Sequence, residues 1–362
     1  MPQNVYIHIP FCKSKCKYCS FVSYTLLELK EQYTDALQKE IKFYYNNEKL
    51  NTIYFGGGTP SLLSIDDFEK ILSNFNFNSN TEVTAELNPE NIELNYLEKL
   101  KNCGINRLSL GCQTFNNNIL KIIGRGHSSE NVFTAVKNAK KAGFENISLD
   151  FIYGLPTQTQ DDFVNDLEQA ITLDIQHVSL YGLKIDEGSF FYEHYPKNLP
   201  DDDMQADMYL KAIEILNLNG FEHYEISNFS KKGFESQHNL NYWNNKSYYG
   251  FGTAAHGYKD GIRYSNNTSI TDYINNPTIH ASEHKVNNKE ALEEEIFLGF
   301  RKIAGIDVKL IEKKFGINFR EKYARQLKEY VCYKYLKETN KGFKLSKKGL
   351  LVSNNILSDF LE

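Results

Sequence analysis

Six times over its first two-thirds, this chain alternates a short apolar, β-rich run with a helix-patterned segment. That alternation constrains its fold more than any other feature. The runs are VYIHI (5–9), TIYFGG (52–57), EVTAEL (82–87), RLSLGC (107–112), ISLDFIYG (147–154) and HVSLYGL (177–183). Between them, YTDALQKEIKFYY, IDDFEKILSNF, NYLEKLKNC, NVFTAVKNAKKAG and DDFVNDLEQAI place apolar residues at helical spacing. Parallel strands need long crossovers, usually helical, so the alternation predicts a parallel sheet with helices outside. Six units fall short of the eight of a closed barrel. The expectation is an α/β fold built on a partial (βα)6 barrel.

Periodicity fades after about residue 230, where Asn, Gly, Tyr and His become frequent. A barrel over 1–235, a connecting region over 236–289 and a small α-rich domain over 290–362 follow from that change. In the last part, ALEEEIFLGFRKI and REKYARQLKEYVCYKYLKE read as helices and GFKLSKKG as a hairpin-like wing, so the segment resembles a winged-helix module. It carries no concentrated basic helix, which argues against nucleic acid as a partner. The net charge of −5 gives no overall attraction to polyanions, and no apolar stretch reaches the roughly 18–20 residues of a membrane span. MPQNVYIHIP lacks a signal peptide's charged start and apolar core, so a cytoplasmic protein is expected.

Three of the six cysteines, Cys12, Cys16 and Cys19, fall in one loop directly after the first strand. In parallel α/β folds that end of the strands carries the site. Clustered thiols in a reducing compartment are metal ligands or redox groups more often than disulfides. Structural zinc asks for four protein ligands, and no fourth follows at suitable spacing. Three thiolates on an iron–sulfur cluster would leave one iron open; a redox trio stays an alternative. Lys13, Lys15 and Lys17 would offset the thiolate charge and lower the thiol pKa values. After the second strand, GGGTP (56–60) would let backbone N–H groups approach a ligand closely. Polar residues follow at later strand ends: Glu86, Gln113, Arg125 and Asp150. Further on, HNLNYW (238–243) sets a histidine beside flat aromatic surface, and His256 lies in a glycine-flanked turn.

CxxxCxxC after a first strand, GGGTP, E-x-NP, NRLSLGCQTF and SLDFIYGLP together resemble the radical S-adenosylmethionine (radical SAM) family, in its coproporphyrinogen III dehydrogenase-like branch. The resemblance runs from about residue 5 to the end. It implies a radical SAM partial barrel and a [4Fe–4S] cluster on Cys12, Cys16 and Cys19. SAM would sit at the open iron and touch Tyr6, Gly57, Gly58, Thr59, Glu86, Gln113, Arg125, Asp150 and Ile152, with Tyr18 contributing its backbone. The dehydrogenases carry a fourth cysteine two residues after the third and a leader of some fifty residues. Here Phe21 takes that place and the first strand begins at about residue 5. HNxxYW marks instead the branch's heme chaperones. On that likeness His238 would ligate heme iron, Asn239 would orient the imidazole, and Tyr242 and Trp243 would pack on the porphyrin, with His256 a second candidate. Heme-accepting proteins, membrane-bound ones included, would be partners, holding the chain peripheral to the membrane, and a homodimer is implied. The rival reading is an oxygen-independent dehydrogenase that decarboxylates two propionates. A third is a binding or regulatory protein with a structural or sensory cluster.

Overall fold

A computed structural model describes residues 1–90 and 92–361 of the chain. Six strands, β1 (Asn4–Ile9), β2 (Thr52–Gly57), β3 (Glu82–Leu87), β4 (Arg107–Gln113), β5 (Asn146–Tyr153) and β6 (His177–Gly182), lie side by side in chain order, all parallel. They match the six expected runs to within a residue or so, and the partial barrel stands. Three further strands complete a sheet of nine among the described residues. β7 (Glu222–Glu225) and β8 (Asn228–Ser230) extend it antiparallel beyond β6, while β9 (Tyr249–Phe251) runs parallel to β1 at the other edge. The 236–289 region therefore contributes one strand, β9, to the barrel sheet.

Alternation along the strands gives the sheet two unlike faces. Val5, Ile7, Ile53, Phe55, Val83, Leu108, Leu110, Leu149, Phe151, Val178 and Leu180 are buried against the outer helices. These helices include Lys30–Tyr44, Ile65–Leu72, Leu94–Asn102, Ser129–Lys141 and Gln160–Thr172. Their starts are chemically set. Ser64 with Asp67 and Thr159 with Asp162 form reciprocal capping boxes. The inner face carries Thr52, Tyr54, Arg107, Ser109, Ser148, Asp150, His177 and Ser179. It is polar where a closed barrel is usually filled with branched aliphatics. Some of its groups pair with one another: Ser148 Oγ meets His177 Nδ1 at 2.8 Å, and His177 Nε2 meets the Tyr224 hydroxyl at 2.8 Å.

Beyond the sheet, β10 (His256–Lys259), β11 (Ile262–Ser265) and β12 (Ser282–Lys285) form a small antiparallel sheet. The C-terminal part is helix-rich, as expected, and begins with the helix Asn288–Arg301 behind an Asn287/Glu290 capping box. The long helix expected over REKYARQLKEYVCYKYLKE breaks into Phe319–Lys322 and Ala324–Cys332. Its tail becomes β14 (Leu336–Glu338), paired with β15 (Gly342–Leu345), and β15 also pairs with β13 (Ile306–Asp307). Only the first half of GFKLSKKG is a strand; Lys347–Leu351 is helical behind the Ser346 cap. Among the described residues no helix is long and apolar enough to cross a membrane.

Candidate cluster and cofactor cavity

The cysteine loop leaves β1 through Pro10 and Phe11. It is fixed by backbone bonds from Cys12 N to Tyr24 O (2.9 Å), Lys17 N to Ile123 O (3.0 Å) and Phe191 N to Lys17 O (2.9 Å). Cys12, Cys16 and Cys19 are free, half-buried thiols lining one cavity of about 940 Å³ at the carboxyl ends of the strands. Burial pushes the Cys19 thiol up, with Cys16 and Cys12 adding to it, and nearby Lys15 does not reverse the shift. The lysines thus do less than expected. Lys13 pairs with Glu90 (3.6 Å), Lys15 donates to Gly188 O (3.3 Å) and Lys17 lies over the Phe190 ring. The cation at the thiols is Arg125, whose guanidinium donates to Cys16 Sγ (3.6 Å) and Gly111 O (2.7 Å). Thr59 Oγ1 donates to Cys12 Sγ at 3.6 Å.

Gly57, Gly58, Thr59, Glu86, Gln113, Arg125, Asp150, Ile152 and Tyr18 line the same cavity. The glycines serve differently from the expectation. A Cβ on Gly58 would lie 2.6 Å from Phe11 O and 2.9 Å from Ile9 O, so glycine there lets two loops touch. The N–H groups of Gly57, Gly58 and Thr59 are already given to Glu86 Oε2, Ile9 O and Phe11 O. Glu86 also accepts from the Tyr54 hydroxyl at 2.8 Å. Its carboxylate opens on the cavity but is otherwise surrounded by protein. Burial raises its pKa to about 7, with Asp150 adding, while Tyr54, Gly57 and Arg107 oppose. Asp150 accepts from Ser109 Oγ at 2.8 and 2.9 Å and from Ser148 Oγ at 3.2 Å. Gln113 sits at a bulge with φ +67°. Tyr6 lies behind the wall, its hydroxyl 3.0 Å from His8 Nδ1 and its ring stacked on Tyr54.

HNLNYW is not a loop. Gln237–Trp243 is a short helix capped by Ser236. His238 is buried, with Nδ1 2.7 Å from Thr52 Oγ1 and Nε2 2.8 Å from the Tyr242 hydroxyl. Thr52 Oγ1 also donates to Asn4 Oδ1, so the network assigns the proton to Nδ1 and leaves Nε2 accepting from Tyr242. Burial, then Arg107, pushes its pKa down to about 3. Both nitrogens of His238, the expected axial ligand, are thus engaged by hydrogen bonds inside the barrel, and neither is open in this arrangement. Nor does Asn239 orient the imidazole; its side chain lines the cysteine cavity instead. His256 is exposed on β10.

Comparison with known proteins agrees with this arrangement. The radical SAM superfamily model matches residues 6–170, and the HemN C-terminal domain model matches 286–352. The heme chaperone HemW of Lactococcus lactis is 40% identical over 99% of this chain and 97% of its own length. HemW of Bacillus subtilis is 36% identical over 99% of both. The chain belongs to the HemW family. Among solved structures, coproporphyrinogen III oxidase (HemN) from Escherichia coli superposes with a TM-score of 0.88. That match covers 99% of this chain and 90% of the other at 23% identity, so it speaks for the fold.

For a HemW-family chain, two cavity features escaped the sequence reading. Arg107 is 2% exposed at the start of β4 and lines the cavity, with no hydrogen-bond partner at Nε among the described residues. Tyr54, Ser109, Ser179 and Tyr181 line it too. Their signal was present: Arg107, Ser109, Gly111 and Gln113 are the inward positions of one strand, at period two. Phe21, where a dehydrogenase has its additional cysteine, is 67% exposed at the cavity.

Proposed function

We propose that the chain is a heme chaperone that carries a [4Fe–4S] cluster and SAM in the cysteine cavity and passes heme to acceptor proteins, membrane-bound ones among them. The observation that carries this is the end-to-end likeness to HemW proteins, held on a fold whose three loop thiols face one cavity. The donor set suits the cluster: three thiols with a roomy cavity beside them. Among the described residues no three His, Cys, Asp or Glu side chains gather around a single ion position, and a four-iron cluster would not ask for that, since each thiolate would take a different iron. When bound, the cluster supplies the electron that reductive cleavage of SAM requires. Arg125 would hold negative charge beside Cys16, and Thr59 would hydrogen-bond at Cys12. Glu86 and Asp150 would accept from ribose hydroxyls, and Ile152 would give an apolar wall. Gln113, Gly57, Gly58 and the Tyr18 backbone would complete the pocket, with Tyr6 supporting it from behind through Tyr54.

Phe21 in place of a further cysteine favours the chaperone over the dehydrogenase. Two assays separate them. The reconstituted chain, given coproporphyrinogen III, SAM and a reductant, should form no protoporphyrinogen. Loaded with heme, it should pass that heme to apomyoglobin, seen as growth of the acceptor's Soret band. Steady decarboxylation without heme transfer would establish the dehydrogenase instead.

A further inference from the structure

The HNLNYW helix has two unlike sides. Its histidine is locked into the barrel, while Tyr242 and Trp243 line a second cavity of about 690 Å³. That volume falls within the roughly 300–1,000 Å³ usual for small-molecule sites. The cavity is shared by this helix, by β11 and β12, and by the helix Asn288–Arg301; Tyr248, Phe297 and Leu298 add apolar wall. One histidine lines it, His284 on the edge strand β12.

His284 has what His238 lacks. Its Nε2 is held by the Glu290 carboxylate at 2.8 Å, and its Nδ1 makes no hydrogen bond among the described residues. A carboxylate steering one nitrogen while the other stays open is how metal-binding imidazoles are oriented. The Asn287 backbone N–H donates to the same carboxylate oxygen at 2.9 Å, which fixes the carboxylate's position. The other carboxylates of the cavity are engaged as well. Glu294 takes a two-point contact from Arg263 (2.5 and 2.7 Å), and Glu293 lies 3.9 Å from Lys289. Lys246 lines the same space and has no ion-pair partner among the described residues. Flat aromatic walls, one open imidazole nitrogen and one uncommitted cation are the complement of a metalloporphyrin bearing carboxylates.

We propose that heme binds in this second cavity, its iron on His284 rather than His238, its ring against Tyr242 and Trp243, and a propionate toward Lys246. The proposal rests on the heme-chaperone reading. It sharpens that reading: the motif histidine positions the aromatic pair from inside the barrel, through its bond to Tyr242, and does not touch iron.

The test is a hemin titration of the full-length, cluster-reconstituted chain, read by the Soret band and by ferric-heme electron paramagnetic resonance. The unaltered chain should bind hemin with a histidine-ligated spectrum. His284→Ala should weaken binding at least tenfold and abolish that signature, while circular dichroism stays unchanged because the residue is exposed. His238→Gln, which can still hydrogen-bond inside the barrel, should keep it. Retention of affinity and signature in His284→Ala, or their loss in a folded His238→Gln chain, would overturn the assignment and leave the heme reading standing. Failure of the unaltered chain to take up hemin would overturn the heme reading itself.

Discussion

Glu86 gives the candidate SAM site a pH dependence whose size follows from its surroundings. The carboxyl sits among Tyr54, Tyr6, Tyr181, Asp150 and Arg107, and burial lifts its pKa to about 7. In the proposed SAM site a ribose hydroxyl would donate to the ionised form. With a pKa of about 7, roughly one-eleventh of the chains are ionised at pH 6 and ten-elevenths at pH 8. If SAM binds only the ionised form, affinity should rise about tenfold across that window, which is about 1.4 kcal/mol. The assay is anaerobic calorimetric titration of SAM into the reconstituted chain at pH 6, 7 and 8. The α-amino group of SAM titrates near pH 8 and pulls in the same direction, so the control is Glu86→Gln. The glutamine keeps one accepting oxygen for Tyr54 and cannot ionise. It should bind several-fold more weakly at pH 8 and lose the Glu86 share of the slope. Equal slopes in the two proteins would refute the reasoning, because the whole dependence would then belong to the ligand.

Replacing Cys12, Cys16 and Cys19 together by serine should abolish the brown iron–sulfur absorbance after reconstitution; a surviving cluster spectrum would remove the three from the ligand set. Gly58→Ala places a Cβ 2.6 Å from the Phe11 carbonyl oxygen, so the cysteine and glycine loops must part. The expected cost is about 2–3 kcal/mol in urea unfolding, with poorer cluster loading, and an unchanged midpoint would show that the contact relaxes freely. Glu40 is fully buried, accepting from Tyr273 Oη (2.5 Å), Asn266 Nδ2 (2.6 Å) and Gly252 N (2.8 Å), and its pKa is raised to about 7, chiefly by burial. The native state then holds more protons than the unfolded chain between about pH 4.5 and 7, so stability falls as pH rises through that window, by on the order of 3 kcal/mol from this group. Glu40→Gln should flatten that part of the profile, as followed by urea midpoints at pH 5 and 8.

The six barrel strands were legible because each is a short apolar run bounded by turns, and one face of every run packs on a helix whatever the other face does. The polar inner face was also written in the sequence, as Arg107, Ser109, Gly111 and Gln113 at period two, but in so short a run one or two polar residues pass for noise. Arg107 was missed for that reason: at the mouth of RLSLGC it looks like a strand's solvated start, yet it is buried under the whole cavity. β7, β8 and β9 were illegible for another reason. Strands of three or four residues have no period to read, and they exist because the open edges beside β6 and β1 offer unpaired backbone groups. The cysteines were readable from spacing alone, but their charge partner was not, because Arg125 meets Cys16 across 109 residues of chain. HNLNYW shows the limit most clearly. Its residue types suggested one heme surface, whereas a helical turn sends neighbours in different directions. His238 enters the barrel, Asn239 reaches the cysteine cavity, and Tyr242 and Trp243 turn to the second cavity. Seven residues thus span the wall between the candidate SAM and heme sites. Composition names the groups that can serve a ligand, but only the helix phase says which ligand each can meet.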